Sequence, residues 1–409
     1  MASLSSIFPC NVVIEILAYL PARSLARFRC VSKSWRSLLS EKYFLTMWLN
    51  RSGTSLLVVP LEWDIRDKCS LVFENVSIGR ENLRLPVGND WVSLSVVGSS
   101  SDGALICLTG LSFVRRNASK LAIILWSPFT GEVKTLSHHD YIYCHERPLC
   151  AESQAQGYSS GCCVRYHVHG FGYAPNARDY KIVRITYSRG VARRAVASIR
   201  PSNVEVYSLG RDKWTSLGRP NFTRTIRGNS RAFINGAAHW LAAPREDAPY
   251  NSIVAFGMEE ESFKQVMPLP RKRNISQYSL HSRGKATLAV SCGSLALIAF
   301  TVWDREVCGI WVMKEYGVAS SWTKQHHIVL PIGLTCRAAL GLTGNGKIVL
   351  RMVDESLVCC DLGDKQISEV GIGGEGTESS FDVIDLGRGN PSLRNQVGGG
   401  SPLTMLNPR

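Results

Sequence analysis

The feature that most constrains this chain is a phrase it repeats. LAIILWSPFTGEVKTL begins at Leu121, NVEVYSLGRDKWTSL at Asn203, SIVAFGMEEESFKQVMPL at Ser252, CGIWVMKEYGVASSWTKQHHI at Cys308 and SLVCCDLGDKQISEVGI at Ser356. Each is an apolar run, a short polar turn and a second run of alternating pattern, which is how two antiparallel strands are written. Trp126, Tyr207, Phe256, Trp311 and Cys360 hold equivalent places in the first run, at separations of 81, 49, 55 and 49 residues. The long first interval holds a further strand pair, GFGYAPNARDYKIVRITY, from Gly170. Between the repeats lie SSDGALICLTG (100–110), RAFINGAAHWLAA (231–243), ATLAVSCGSLALIAF (286–300) and TGNGKIVLRMV (343–353). Their Asn-Gly and Ser-Asp-Gly signals favour tight hairpins. A unit of about fifty residues thus supplies about four strands, the size of a propeller blade. Repetition has a physical reason, because one four-stranded sheet cannot bury both its faces whereas a ring of sheets can. The expectation is about six blades, with FDVIDL from Phe381 as a last strand closing the ring. A β-sandwich with chance periodicity is the competing architecture.

The first fifty residues are written differently. Between Ser5 and Ser52, Pro9 stands where a first helical turn would begin, a place that tolerates proline. Val12, Val13, Ile16, Leu17 and Leu20 follow at spacings of three and four, which puts them on one helix face. Pro21 ends that helix. A second helix is expected over Ala22 to Arg27, and a third carrying Phe28, Val31, Trp35, Leu38 and Leu39. Three short helices cannot enclose Leu20, Pro21, Leu25, Val31 and Trp35 together. Part of this apolar set is therefore expected on an outer face, as a partner's docking site or against the rest of the chain.

The order Phe8-Pro9, Val12 to Leu17, Leu20-Pro21, Ser24-Leu25, Arg27-Phe28-Arg29, Val31, Lys33, Trp35 and Leu38 to Ser40 resembles an F-box. The pattern is departed from at Phe8, where leucine is usual, at Ser32, and at Cys10 and Asn11, which replace an acidic pair that would complement the helix N-terminus. The phrases GALICLTG, LWSPFTGE, HGFGYAPNARDYKIVRI, VEVYSLGRDKWTSL, FINGAAHWLA and NGKIVL resemble, in order, the F-box-associated (kelch-like) domain that follows many plant F-boxes. Together the two resemblances run to about Val370. They imply a small all-α F-box over residues 1–52, then an all-β, β-propeller-like repeat domain over 53–386. A Gly-, Ser-, Pro- and Asn-rich tail follows over 387–409. They further imply docking on a Skp-type adaptor, and through it on a cullin. The adaptor-binding residues would be Pro9, Ile16, Leu17, Leu20, Pro21, Leu25, Val31, Lys33 and Trp35. The implied function is a non-catalytic substrate adaptor of an SCF-type (Skp–cullin–F-box) ubiquitin ligase. The rival is a propeller that binds nucleic acid or a small ligand outside any ligase.

No catalytic signature competes with that reading. G-x-S-x-G occurs as GYSSG from Gly157, inside a stretch that reads as a long inter-strand loop and not as a strand-turn-helix, and the chain has no P-loop and no H-E-x-x-H. GIGGEG at Gly371 precedes no helical pattern and reads as linker. With no C-x-x-C there is no zinc-bound RING, so the chain reads as an adaptor with no cofactor. His138, His139, Cys144, His145, Cys150, Cys162, Cys163, His167 and His169 crowd one window, but their spacing matches no zinc pattern, and no metal is assigned. His167 and His169 alternate, so they should share a sheet face. Thirteen cysteines, with adjacent pairs at Cys162-Cys163 and Cys359-Cys360 and others in apolar runs at Cys107 and Cys292, suit reduced, buried thiols. That places the protein in the cytoplasm or nucleus. No run of 18 uncharged apolar residues suggests a membrane span, and the N-terminus lacks the basic region of a signal peptide.

Charge is uneven. The formal net charge is +14, yet residues 51–177 and 232–409 are balanced. Residues 178–231 hold thirteen basic and three acidic groups. Arg189, Arg193, Arg194, Arg200, Arg219, Arg224, Arg227 and Arg231 lie here, mostly between expected strands. Arginine forks onto carboxylate and phosphate, and loops between blade strands gather on one rim. These eight are therefore the expected docking patch for an acidic or phosphorylated segment of a target protein, against the plainer reading of a solvated basic face. Few aromatics interleave with them, which disfavours nucleic acid.

Overall fold

The computed structural model describes residues 10–20, 22–28, 31–40 and 44, and most of 55–385. Within the latter it leaves out 61–68, 74–78, 84–90, 101–104, 114–118, 128–131, 138–164, 190–198, 271–274, 276–277, 281–284, 302–306, 332, 355 and 370–380. The expected linker at Gly371 and tail at 387–409 lie outside the described residues.

Three helices come first: α1 (Cys10–Leu17), α2 (Ala22–Phe28) and α3 (Lys33–Ser40). The third starts later than expected. Phe28 closes α2, Val31 lies in the turn, and Ser32 caps α3, its Oγ accepting from the Trp35 amide at 3.2 Å. Serine satisfies an orphan amide best from outside the helix, which sets the boundary there. The Phe28 and Trp35 rings, now on different helices, meet with centroids 5.3 Å apart. The expected single face of α1 also divides. Ile14, Leu17 and Ala18 are buried, together with Leu25, Leu39 and Phe44, while Val12 and Ile16 are exposed. Helix α1 is apolar around most of its circumference, so spacing alone could not say which stripe turns inward.

From Ser55 onward the described residues form six antiparallel sheets. The first joins both ends of the domain: β1 (Ser55–Pro60), β2 (Cys69–Phe73) and β3 (Gly79–Leu83) extend outward from β26 (Phe381–Asp385), with Val58 opposite Val383. The second holds β4 (Trp91–Ser99), β5 (Ile106–Phe113), β6 (Ser119–Trp126) and β7 (Val133–Ser137). The third holds β8 (Arg165–Ala174), β9 (Asp179–Arg189), β10 (Ile199–Ser208) and β11 (Lys213–Gly218). In the fourth, β12 (Thr225–Ile226) and β13 (Ala232–Ile234) both pair with β14 (Ala237–Ala243), followed by β15 (Ser252–Gly257), β16 (Ser262–Phe263) and β17 (Met267–Pro268). The fifth holds β18 (Ala286–Ser291), β19 (Ser294–Phe300), β20 (Val307–Met313) and β21 (Trp322–Val329). The sixth holds β22 (Cys336–Leu342), β23 (Lys347–Met352), β24 (Leu357–Asp361) and β25 (Ile367–Glu369). Inner strands neighbour one another in a closed circuit, β26 beside β4, β4 beside β8, then the fourth sheet, β18, β22 and back to β26. This is a propeller, and β26 closes it as the sequence suggested.

The repeated phrase is the third and fourth strand of a blade. Trp126, Tyr207, Phe256, Trp311 and Cys360 all lie near the end of a third strand, and all are buried. The expected hairpin at Asn235-Gly236 forms with φ of 51° and 69°, as a type I′ turn requires. Cys292-Gly293 does the same between β18 and β19. Cys292 is therefore exposed on a turn, against the expectation that it would be a buried thiol, whereas Cys107, Cys308, Cys336, Cys359 and Cys360 are buried thiols.

Cores lie between successive sheets. Val183, Ile185 and Tyr187 of β9 pack with Trp240, Val254 and Phe256 of the fourth sheet. Two glycines allow this approach. A Cβ on Gly170 would meet Trp240 Cζ2 at 2.7 Å and Ala238 Cβ at 2.8 Å, and one on Gly172 would overlap the Phe233 ring. Gly170→Val is expected to destabilise the propeller by at least about 1–3 kcal/mol, read as a lower urea midpoint.

Candidate functional site

The helical unit presents an outer apolar stripe. Val12 is 41%, Ile16 54%, Tyr19 74% and Val31 66% exposed. Of the residues expected to bind an adaptor, Ile16, Val31 and Lys33 are exposed, and Leu20 and Trp35 are half-buried. Leu17 and Leu25 are core residues and support the stripe from beneath. Pro9 and Pro21 lie outside the described residues. Val12 and Tyr19 escaped the sequence reading of the site. Their signal was the i, i+4, i+7 spacing of Val12, Ile16 and Tyr19 on α1 and the turn after it. Among the described residues this stripe is apolar, the kind of surface that a partner can cover.

The eight arginines divide. Strand register puts Arg189 opposite Ile199 and Arg200 opposite Ser188, at one end of the third sheet. Arg219 follows β11 and Arg224 precedes β12 at that same end. Arg193 and Arg194 lie outside the described residues. Arg200 and Arg219 are exposed, and Arg224 Nη1 donates to Asn251 Oδ1 at 2.8 Å. Arg231 turns from this rim into the channel, whereas the Arg227 guanidinium reaches the carbonyls of the loop between β14 and β15.

Both leave the rim because the inner strand of the fourth blade is broken. Residues 227–231 leave the ladder between β12 and β13 and enter the channel. Gly228, at φ 116°, supplies a backbone state that side chains resist. Hydrogen bonds to three other blades then fix the segment. Asn229 Oδ1 accepts from the His169 amide at 2.9 Å, and Asn229 Nδ2 approaches Ser95 Oγ at 3.3 Å. The Ser230 amide donates to the His169 carbonyl at 2.8 Å, and Arg231 Nη1 to the Leu340 carbonyl at 3.1 Å. Arg227 lies over the Tyr250 ring, 5.0 Å from its centroid, and donates to the Ala248 carbonyl at 2.6 Å. The hydroxyls of Tyr166 and Tyr187 hold the approach, donating to the carbonyls of Ile226 and Arg224 at 3.0 and 3.1 Å. Beside the segment is a cavity of about 340 Å³.

Two histidines sit in this network. His167 and His169 share one side of β8 as expected, with ring centroids 6.1 Å apart. Residues 138–164, which hold the rest of the Cys/His window, lie outside the described residues. Among the described residues no group of three His, Cys, Asp or Glu is placed to hold a metal. Burial pushes the His169 imidazole down to about 4, against a hydrogen bond that its Nδ1 donates to Asn229 Oδ1. Burial does the same at His239, also to about 4, where Nε2 meets the Tyr316 hydroxyl at 2.6 Å. Both are neutral in the folded protein at pH 7. Below about 6.5 the unfolded chain takes up these protons first, so folded stability is full above that pH and falls by about 1.4 kcal/mol per unit per histidine down to about 4. The melting temperature is expected to drop across this window, and His239→Gln to flatten the profile.

The F-box domain family matches residues 5–46, and the F-box associated beta propeller domain family matches residues 73–395. This chain is an F-box protein of the propeller-bearing family. An F-box protein of Arabidopsis thaliana is 26% identical over 349 residues, covering 80% of this chain and 74% of the relative. An Arabidopsis F-box/kelch-repeat protein is 25% identical, covering 77% and 78%. The Arabidopsis F-box protein CPR1 is 23% identical, covering 89% and 84%. F-box domains bind Skp-type adaptors, and the exposed stripe of α1 lies inside the matched F-box. An F-box joined to a propeller supports a substrate-adaptor role in general terms.

Proposed function

We propose that this F-box protein is the substrate-recognition subunit of a Skp–cullin–F-box ubiquitin ligase. The observation that carries the reading is the solvent-facing apolar stripe Val12, Ile16, Tyr19 and Val31 within the F-box. Exposed apolar side chains of this kind are retained where a partner covers them. The Skp-type adaptor is that partner, and through it the protein reaches a cullin. The propeller then holds a target protein by an acidic or phosphorylated segment, at the end of the third sheet that carries Arg189, Arg200, Arg219 and Arg224. The protein supplies no chemical group to the transfer. It raises the effective concentration of target lysines beside a ubiquitin-charged conjugating enzyme, making a bimolecular step intramolecular. The buried thiols support a reducing compartment, the cytoplasm or nucleus. The test is co-expression of the full chain with a Skp-type adaptor, followed by gel filtration. A one-to-one complex is expected, and a chain that elutes alone and folded removes the reading.

A further inference from the structure

We infer that β11, the outer strand of the third blade, takes up an extended acidic segment of the target protein as one more strand of its sheet. This rests on the reading above, in which an acidic segment docks at this rim, and adds how that segment is held. β11 is the edge of its sheet, with β10 on one side and no described strand on the other. Such an edge presents a row of backbone donors and acceptors, and an extended peptide satisfies them by lying alongside.

Other outer strands are short or covered. That of the fourth blade is split into β16 and β17, of two residues each, and that of the sixth, β25, has three. β21 of the fifth is longer, but it buries Trp322 and Ile328. In β11 five of six residues are exposed, and Trp214 alone is half-buried.

Charge selects the occupant. The three acidic groups of residues 178–231 are all engaged. Asp179 accepts from the Gly210 amide at 2.8 Å, Glu205 pairs with Arg184 at 2.6 Å, and Asp212 with Lys134 at 2.9 Å. Arg211 and Lys213 at one end of β11 and Arg219 at the other are exposed, and among the described residues none of the three side chains has an ion pair. Lys213 and Arg219 are six positions apart, about 20 Å of strand. A segment with acidic residues at that spacing meets both ends at once, while Leu217, 40% exposed, offers a contact to an apolar residue between them. Backbone pairing then supplies affinity and the flanking cations supply the preference for acid.

The probe is a labelled, end-capped peptide, Glu-Glu-Val-Thr-Val-Thr-Glu-Glu, titrated into the full chain by fluorescence polarisation. Two isomers carry N-methyl groups on alternate amides, one set for each edge of the extended peptide. Each keeps every side chain and charge and loses the donors of one edge. Saturable one-to-one binding is expected, with one isomer at least roughly tenfold weaker and the other close to the parent. Lysine in place of glutamate is expected to abolish binding. Lys213→Glu combined with Arg219→Glu is expected to weaken binding by roughly tenfold or more with the urea midpoint unchanged, because both side chains are exposed. Should that variant unfold early, raised salt on the wild-type chain reads the same attraction and is expected to weaken binding. The proposal is overturned if the peptide does not saturate, as when Lys213 merely guards the edge, if the two isomers bind alike, or if the folded charge variant keeps wild-type affinity. A dimer on gel filtration that the peptide does not disperse would put a second copy on the edge and overturn it too. Adaptor binding is measured on the same preparation. Isomers that bind as well as the parent remove the added strand and leave the acidic-segment reading, whereas a chain that binds the peptide but no adaptor removes the ligase and spares the strand.

Discussion

Ile16→Asp and Val31→Asp are each expected to abolish capture of a Skp-type adaptor while leaving the protein folded. Both side chains are more than half exposed, so replacing them costs the folded state little, within about 0.5 kcal/mol. In the complex they would be covered, and a carboxylate there would lose its water with no partner to replace it. A penalty of at least about 2–3 kcal/mol is expected, a loss of roughly 30-fold or more in affinity. Leu17→Ala and Leu25→Ala form the contrast. Both are buried, and each is expected to cost the helical unit about 2–5 kcal/mol through the cavity left behind. They too lose the adaptor, but by unfolding the surface that binds it. Circular dichroism beside gel filtration separates the two outcomes. An Ile16→Asp protein that still elutes with the adaptor would show that α1's exposed stripe is not the interface.

Removing one carboxylate should cost the propeller more than removing its cation. Arg184 lies in the middle of β9 with its side chain 1% exposed, and its Nη2 and Nε reach Glu205 Oε2 at 2.6 and 3.0 Å. The Trp214 ring lies 4.3 Å from the guanidinium carbon. Burial lowers the Arg184 pKa from its ordinary value, and the hydrogen bond and charge of Glu205 oppose that shift. Glu205→Ala strands a buried cation and is expected to destabilise the protein by about 3–5 kcal/mol. Arg184→Met keeps an unbranched stem against Trp214, and it leaves Glu205, 22% exposed, able to take up water. It should cost distinctly less, and the double substitution should recover much of the Glu205→Ala loss. Urea midpoints for the four proteins measure the coupling. Equal losses for the two single variants would mean that packing, not the buried charge, dominates.

Both experiments turn on burial, which periodicity conveys only in part. The strand pairs were legible because a blade strand alternates and a hairpin turn demands residues such as Asn235 and Gly236 that accept positive φ. The last strand at Phe381 was legible because a ring needs one more strand to pair with β1. The inward stripe of α1 was not, because its apolar residues nearly encircle it. The start of α3 was missed because Ser32 was read by its place in the motif and not as a cap. The arginines were legible as a cluster in sequence but not as two groups in space. What parts Arg227 and Arg231 from Arg200 and Arg219 is the break between β12 and β13, and the alternation around it looks like ordinary turn chemistry.

The sequence by itself determined the classes of structure: three helices bounded by proline and a serine cap, and four-stranded units repeated until the chain meets its own beginning. Those follow from local rules of backbone conformation and side-chain period, which neighbours along the chain enforce. Only the tertiary structure decided which apolar residues remain outside and which charges face inward. Exposure of Ile16 rather than Leu17, and entry of Arg231 into the channel rather than onto the rim, depend on what other segments occupy. Desolvation is a property of the packed whole, and no window of sequence contains it.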